Sequence, residues 1–546
     1  MALAHGAARQ SHPVGWRRCL RHQSHTSARG LRARCSERAL GEAESGRNAE
    51  RDSRSGGARG GARVRDGDQP PQRRDGGHHH CRPRGGSERG PDQSRRAVSV
   101  GTRGQVQPAA GYRGGARRRR SLRGKARIPR PVDAGLANRR RAVTERARRA
   151  TRAARAGLGR GSASGGADLV AAPSLSVVRT YADLDTLDAD IESRRSYRRY
   201  GDASTVQLEA ALADLETPDG AEAAIARVTG SGQAALGLAI TLVASAKRRR
   251  VVVVRPCYSG TDALVAGPLG NLGVQLTTVD LTPERGADQV ALVSSALDDD
   301  VCAVVTEVIT NPLMTLVDVP AIAGAAHNAG AACIVDSTFT TPFLFQPFAH
   351  GVDIVFHSLT KHLAGHSDVL GGVLLVQPGH EAAGWLDGFA RLVGASLSAF
   401  DAWLALRGLR TAALRIERGS ANAEALVTWL SADPRVRAVH YPGLHGDAEQ
   451  RLAASLLRHG RGPMFSLELD GGLDAADRFV RGLAHVRLAP SLGDVATTVS
   501  HPALTSHRSL SRQQRDALGV GDGLVRVSAG IEALDDLRGE FDLALR

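Results

Sequence analysis

Residues 335–373 read VDSTFTTPFLFQPFAHGVDIVFHSLTKHLAGHSDVLGGV, and their reading decides the fold. The run Cys333-Ile334-Val335 leads into the polar stretch that begins at Asp336. A second apolar run, Val352 to Phe356, leads into His357-Ser358-Leu359-Thr360-Lys361. Short apolar runs closed by polar loops predict strands buried on both faces of a parallel sheet. The pattern repeats upstream: Val251–Val254 and Ala303–Val305 read as buried strands, and Val319–Ala326 as a helical stretch between two of them. Val206–Leu215 predicts an amphipathic helix. The expectation is an α/β fold, a mostly parallel sheet covered by helices on both faces, with ligands gathering at the strands' carboxyl ends. Ala421–Leu430 reads as helix and Met464–Leu469 and Leu524–Ser528 alternate, which predicts a second, smaller α/β unit.

Lys361 is one of three lysines among 72 basic residues. Lys125 and Lys247 sit among arginines, in RGKARIPR and AKRRR, and read as solvated charge. A chain that uses Arg for nearly every positive charge keeps a Lys where it needs an amine that can lose its proton. A guanidinium stays charged and cannot attack a carbonyl, whereas a partly desolvated ammonium can. Lys361 therefore points to an enzyme that works through a Schiff base.

The formal net charge of +16 is unevenly distributed. Residues 1–165 hold 40 Arg and Lys against 12 Asp and Glu; totals of 72 and 56 leave 32 and 44 for residues 166–546. The body is acidic, which argues against a nucleic-acid-binding protein. The basic segment shows no periodicity and reads as a disordered extension. Three readings of it stand side by side: a basic tail binding phosphates, a solvated tail, or a start codon assigned too far upstream. Its His78-His79-His80 triplet beside Cys81 reads as compositional, and no metal site is expected. Cys19, Cys35, Cys81, Cys257, Cys302 and Cys333 show neither disulfide nor metal spacing, as suits a reducing compartment. No apolar stretch is long enough to span a bilayer, so a soluble cytoplasmic protein is expected.

Other loops carry matching chemistry. Asp336 closes a strand, where a carboxylate can hold a pyridine nitrogen protonated or merely cap a turn. Gly230-Ser231-Gly232-Gln233-Ala234-Ala235 opens an apolar helix whose free amides suit a phosphate. Ser358 and Thr360 offer hydroxyls to the same phosphate. Tyr258 follows a strand and can stack on a ring and carry a proton, or simply be half-buried packing.

With these residues in order, the chain resembles the trans-sulfuration enzymes of Cys/Met metabolism, which depend on pyridoxal phosphate (PLP). The likeness spans residues 175–546. It rests on residues 335–373 and on SYRRYG (196–201), GSGQAAL (230–236), CYSGTDAL (257–264), TEVITNPL (306–313), LRGLRT (406–411), AVHYPGL (438–444), APSLGDVATTVSHPALTSH (489–507) and LVRVSAGIE (524–532). It implies an aspartate-aminotransferase-like (fold type I) architecture. Residues 170–225 would be an arm completing a neighbouring subunit's site, 226–415 the PLP-binding large domain, and 416–546 the small domain. It further implies that Lys361 is the Schiff-base lysine and proton shuttle, that Asp336 pairs with the ring nitrogen, and that Tyr258 stacks on the ring. Gly232, Gln233, Ser358 and Thr360 would hold the phosphate, with Tyr197 and Arg199 reaching the phosphate of the neighbouring subunit in a homodimer or homotetramer. Arg526, helped by Ser491 and Asn311, would clamp the substrate α-carboxylate.

Departures concern the substrate. Asp202-Ala203-Ser204 replaces the usual Asn-Pro-Thr, Asp262-Ala263 stands where many members have a polar residue and arginine, Gly260 replaces the cysteine of methionine γ-lyases, and Ala496 replaces a glutamate common in cystathionine enzymes. The expected reaction is γ-elimination or γ-replacement on a cystathionine- or homoserine-derived amino acid, of cystathionine γ-lyase/γ-synthase type. An O-acylhomoserine sulfhydrylase or a cystathionine β-lyase is the alternative within the class.

Overall fold

The computed structural model describes residues 145, 147–158, 168–281, 288–444 and 446–546. The readings made for residues 1–144, the disordered extension and the His triplet among them, lie outside these. Residues 147–154, by contrast, form a helix. Its Ala153 is fully buried in the core of the body, and Arg149 donates to Gln346 at 2.9 Å. The body thus starts earlier than the Arg-rich composition suggested. Alanines spaced among the arginines supply an apolar face that a count of charges hides.

A seven-stranded sheet runs in the order β1-β7-β6-β5-β4-β2-β3. Its strands are β1 (Ile225–Thr229), β2 (Arg250–Arg255), β3 (Gln275–Asp280), β4 (Val301–Glu307), β5 (Ala332–Asp336), β6 (Ile354–Ser358) and β7 (Gly372–Val376). All neighbours pair in parallel except β7, which runs against both β1 and β6. The unbroken valine runs follow from burial on two sides. Val252, Val254, Val304 and Val355 face one core, while Val251, Val253, Val305 and Ile354 face the other. A period of two inside a continuous apolar run is what a central strand requires.

The helix Ala203–Glu216 covers the position expected to be amphipathic, but it buries two carboxylates. Glu209 pairs with Arg194 at 2.7 Å and accepts from the Val228 amide, and Glu216 lies 2.5 Å from the His357 ring. Their partners come from other elements, so the local pattern could not show them as interior residues.

A second, five-stranded sheet has the order β10-β11-β12-β9-β8: β8 (Ala438–His440), β9 (Met464–Glu468), β10 (Arg487–Leu488), β11 (Thr498–Ser500) and β12 (Leu524–Ser528). It is antiparallel apart from β10 beside β11. The 32-residue helix Ala399–Leu430 joins the two: Ala402 to Ile416 pack in the first core, and Ala423 to Leu430 in that of the small sheet. Among the described residues no helix is long and apolar enough to cross a membrane.

Candidate active site

Strands β1, β2, β4, β5 and β6 lead at their carboxyl ends into one cavity of about 610 Å³. Tyr258 follows β2, Glu307 ends β4, Asp336 ends β5, Ser358 ends β6, and Lys361 lies three residues beyond; all line the cavity. Arg526 enters from β12 of the small sheet and Ser491 from the loop between β10 and β11, so both sheets contribute to the cavity.

The turn that presents Lys361 is tied down from behind. Arg415, buried in the long helix, donates to the carbonyls of His362 (2.6 Å), Leu363 (3.1 Å) and Gly408 (2.7 Å). From the front, Lys361 Nζ donates to Ser491 Oγ at 2.9 Å. The loop can come this close because residue 493 is glycine: its φ is +84°, and a Cβ there would sit 2.5 Å from the His362 amide. Burial lowers the Lys361 pKa, the nearby Arg526 cation adds to this, and Asp336 opposes them. An amine poised below its ordinary range is the form that can bond a carbonyl carbon or take a proton.

Two carboxylates lie at the base. Glu307 and Asp336 are register partners on β4 and β5. Glu307 accepts from the amides of Tyr258 (2.7 Å) and Asn311 (2.9 Å), and Asp336 from that of Thr338 (2.9 Å). Burial raises both pKa values, that of Glu307 strongly, with the neighbouring Asp336 charge as its second cause. Such a pair is short of a cation. Arg526 is buried too; it donates to Asn311 Oδ1 (2.8 Å) and the Ser491 carbonyl (3.3 Å), and burial lowers its pKa to about 10. It makes no ion pair among the described residues.

The cradle end is built from the helix Gly232–Val243, capped by Ser231, whose hydroxyl accepts from the Ala234 amide. Gly232, Gln233, Ser358 and Thr360 line the cavity beside it. A Cβ on residue 232 would press on Ser358 at 3.1–3.2 Å, so glycine lets the helix end meet β6. Tyr258 is 45% exposed at the rim, its ring edge lying where a Cβ on residue 260 would be (2.3 Å).

Of the residues singled out by sequence, Gly232, Gln233, Tyr258, Asn311, Asp336, Ser358, Thr360, Lys361, Ser491 and Arg526 meet in this cavity. Tyr197 and Arg199 do not line it. Arg199 lies over the rings of Tyr200 (5.1 Å) and Tyr197 (5.6 Å) and donates to the Arg391 carbonyl. Ala496 is exposed and outside the lining. Glu307 and Arg415 were not foreseen, although Glu307 stands inside the TEVITNPL motif. No cluster of metal-ligating side chains occurs among the described residues.

The family model described as Cys/Met metabolism PLP-dependent enzyme matches residues 166–546. The chain belongs to this family. It is 37% identical over 365 residues to an O-succinylhomoserine sulfhydrylase of Pseudomonas aeruginosa, covering 67% of this chain and 87% of that one. An L-methionine gamma-lyase of Brevibacterium sandarakinum is 38% identical, with 64% and 82% covered. The crystal structure of cystathionine gamma synthase from Xanthomonas oryzae pv. oryzae superposes with a TM-score of 0.64 at 35% identity, over 73% of this chain and 97% of that one. The protein is thus a PLP-dependent enzyme of fold type I.

The residues present fit that cofactor. The helix end and two hydroxyls suit its phosphate, the raised carboxylate pair suits a protonated ring nitrogen, and the Lys361 amine suits its aldehyde.

Proposed function

We propose that this enzyme catalyses elimination or replacement at the γ-carbon of a homoserine-derived amino acid. The observation that carries the reading is Arg526. A buried guanidinium that makes no ion pair among the described residues, tied to Asn311 and the Ser491 carbonyl, faces the same cavity as Lys361. A bidentate site for a carboxylate next to a depressed amine fits an α-amino acid held with its α-carbon near that amine.

When bound, PLP supplies an aldehyde for the amino group and a ring that takes up the electron pair left at the α-carbon. Asp336, supported by Glu307, keeps the ring nitrogen protonated. Ser358, Thr360 and the amides of Gly232 and Gln233 hold the phosphate. Lys361 takes the α-proton, and its turn, anchored by Arg415, keeps the amine within reach of the β-carbon for the second proton. Tyr258 hands a proton to the leaving group from the rim. Tyr197 and Arg199, set away from their own cavity, serve the cradle of a second subunit in a homodimer or homotetramer, and the protein works in the cytoplasm.

Within this reading, the likeness to a sulfhydrylase favours activated homoserine esters over cystathionine. Product analysis tests the reading: sulfide and an O-acyl-L-homoserine should give homocysteine, and L-cystathionine should give at most cysteine and 2-oxobutanoate. Homocysteine with pyruvate from cystathionine would make the enzyme a β-lyase. Turnover that survives Lys361→Ala would overturn the mechanism.

A further inference from the structure

Two charged side chains that the proposed reaction leaves unused are fully buried behind the large sheet. Glu216 ends the helix Ala203–Glu216, and one of its carboxylate oxygens lies 2.5 Å from Nε2 of His357 on β6. Along β6, Phe356 lines the cavity, whereas Val355 packs in the core on the other face together with Leu208, Leu212 and Leu215 of that helix. His357 shares the face of Val355 and so points away from the cavity, toward Glu216. The arrangement is a poor source of stability. A carboxylate in the last turn meets the negative end of the helix dipole. The second Glu216 oxygen and Nδ1 of His357 are buried without a hydrogen-bond partner among the described residues. Apolar side chains of similar volume would fill such a place at no greater cost.

The pair does adjoin the acid at the base of the cavity. Asp336 and Phe356 are register partners, so His357 follows directly on the residue beside Asp336. The peptide that leaves His357 donates through the Ser358 amide to Thr338 Oγ1 at 2.9 Å, and the Thr338 amide donates to Asp336 at 2.9 Å. Two hydrogen bonds thus lead from the His357 main chain to the carboxylate. Charge acts along the same direction. Burial raises the Asp336 pKa; the hydrogen bonds of Thr338 oppose this first, and the charges of His357 and Lys361 after them.

We infer that Glu216 and His357 are positioning residues for the cofactor acid. Glu216 fixes the His357 ring and holds a positive charge on it, and that charge behind the sheet keeps Asp336 ionised and in place for the ring nitrogen. A pair that adds little to stability is then retained for what it does to a carboxylate on the other face. The inference rests on the role given to Asp336 above, and its test separates the two.

The test uses the holoenzyme loaded with PLP carrying nitrogen-15 in its ring, because the NMR shift of that nitrogen reports whether it holds a proton. Glu216→Leu combined with His357→Leu should fold with little change in melting temperature. Its ring signal should nevertheless move toward the neutral position, and PLP should bind about tenfold more weakly, as a change of about one pK unit implies. Glu216→Gln, which keeps the shape of the side chain, should move the signal in the same direction, and it decides the matter should the leucine pair not fold. Asp336→Asn supplies the reference for loss of the acid. A signal that moves in Asp336→Asn but stays in place in Glu216→Gln and in the leucine pair would overturn the inference alone. A signal unmoved even in Asp336→Asn would overturn the role of Asp336, and the inference with it.

Discussion

Replacing Arg415 by methionine tests how the reactive lysine is held. The side chain keeps its length and apolar stem, but three carbonyls, those of His362, Leu363 and Gly408, lose their donor. A buried polar group left unpaired costs about 1–3 kcal/mol, so the gross loss is about 6 kcal/mol. Burial has meanwhile lowered the guanidinium pKa from 12.5 to about 10, a penalty of about 3 kcal/mol that disappears with the charge. The net destabilisation is therefore about 3 kcal/mol. The catalytic effect follows from position: two of the three carbonyls belong to the residues directly after Lys361, and a displacement of about 1 Å can cost about 100-fold. Thermal melting of the holoenzyme should move down, and kcat should fall at least tenfold with KM less affected. Arg415→Lys, with charge but no fork, should recover part of both. A methionine variant with the original melting profile and kcat would refute this account of how the turn is anchored.

Gly493→Ala should lower kcat and stability together, because it needs a left-handed backbone and puts a Cβ 2.5 Å from the His362 amide; steady-state kinetics and a melt check both. Arg526→Lys keeps the charge but not the bidentate geometry, so kcat/KM should drop about 100-fold; a change under threefold would remove Arg526 from the carboxylate site. Without cofactor, Glu307 and Asp336 bind protons more tightly folded than unfolded, their pKa values being raised above 4.5 and 3.8. Apoenzyme stability should accordingly fall as pH rises above those unfolded values toward the raised folded ones. The holoenzyme should fall less, and parallel melting curves for the two forms between about pH 5 and about pH 8 would contradict it.

The sheet was legible because each central strand writes its burial locally. Val251–Val254 and Cys333–Val335 need no distant partner to read as interior, and Lys361 and Asp336 stand out because they follow such runs. Arg415 and the Glu216–His357 pair were not legible for the opposite reason. Arg415 bonds carbonyls 7, 52 and 53 residues away, and Glu216 meets His357 across 141 residues. A charged residue on a helix reads as solvent-facing until its partner is known. The helix at residues 147–154 was hidden differently, by a composition dominated by arginine in which Ala153 and Ala156 carry the buried face.

These long-range pairs also explain why the cavity is organised as it is. Buried structural carboxylates have their partners away from it: Glu209 pairs with Arg194, and Glu216 meets the His357 ring. Inside the cavity the charges share a space without pairing directly. Glu307 and Asp336 accept from backbone amides, Arg526 donates to a side-chain amide and a carbonyl, and Lys361 donates to a hydroxyl. Neutral partners satisfy the hydrogen bonds, while the opposite charges act on one another without direct pairing (Asp336 on Lys361, Glu307 on Arg526), so their burial still costs folding free energy that ligands can return. A cation at the acid pair and an anion at Arg526 are the two missing counter-charges. On the function proposed here, the first would come from a protonated ring nitrogen and the second from an amino-acid carboxylate, so cofactor and substrate should stabilise the fold separately and additively.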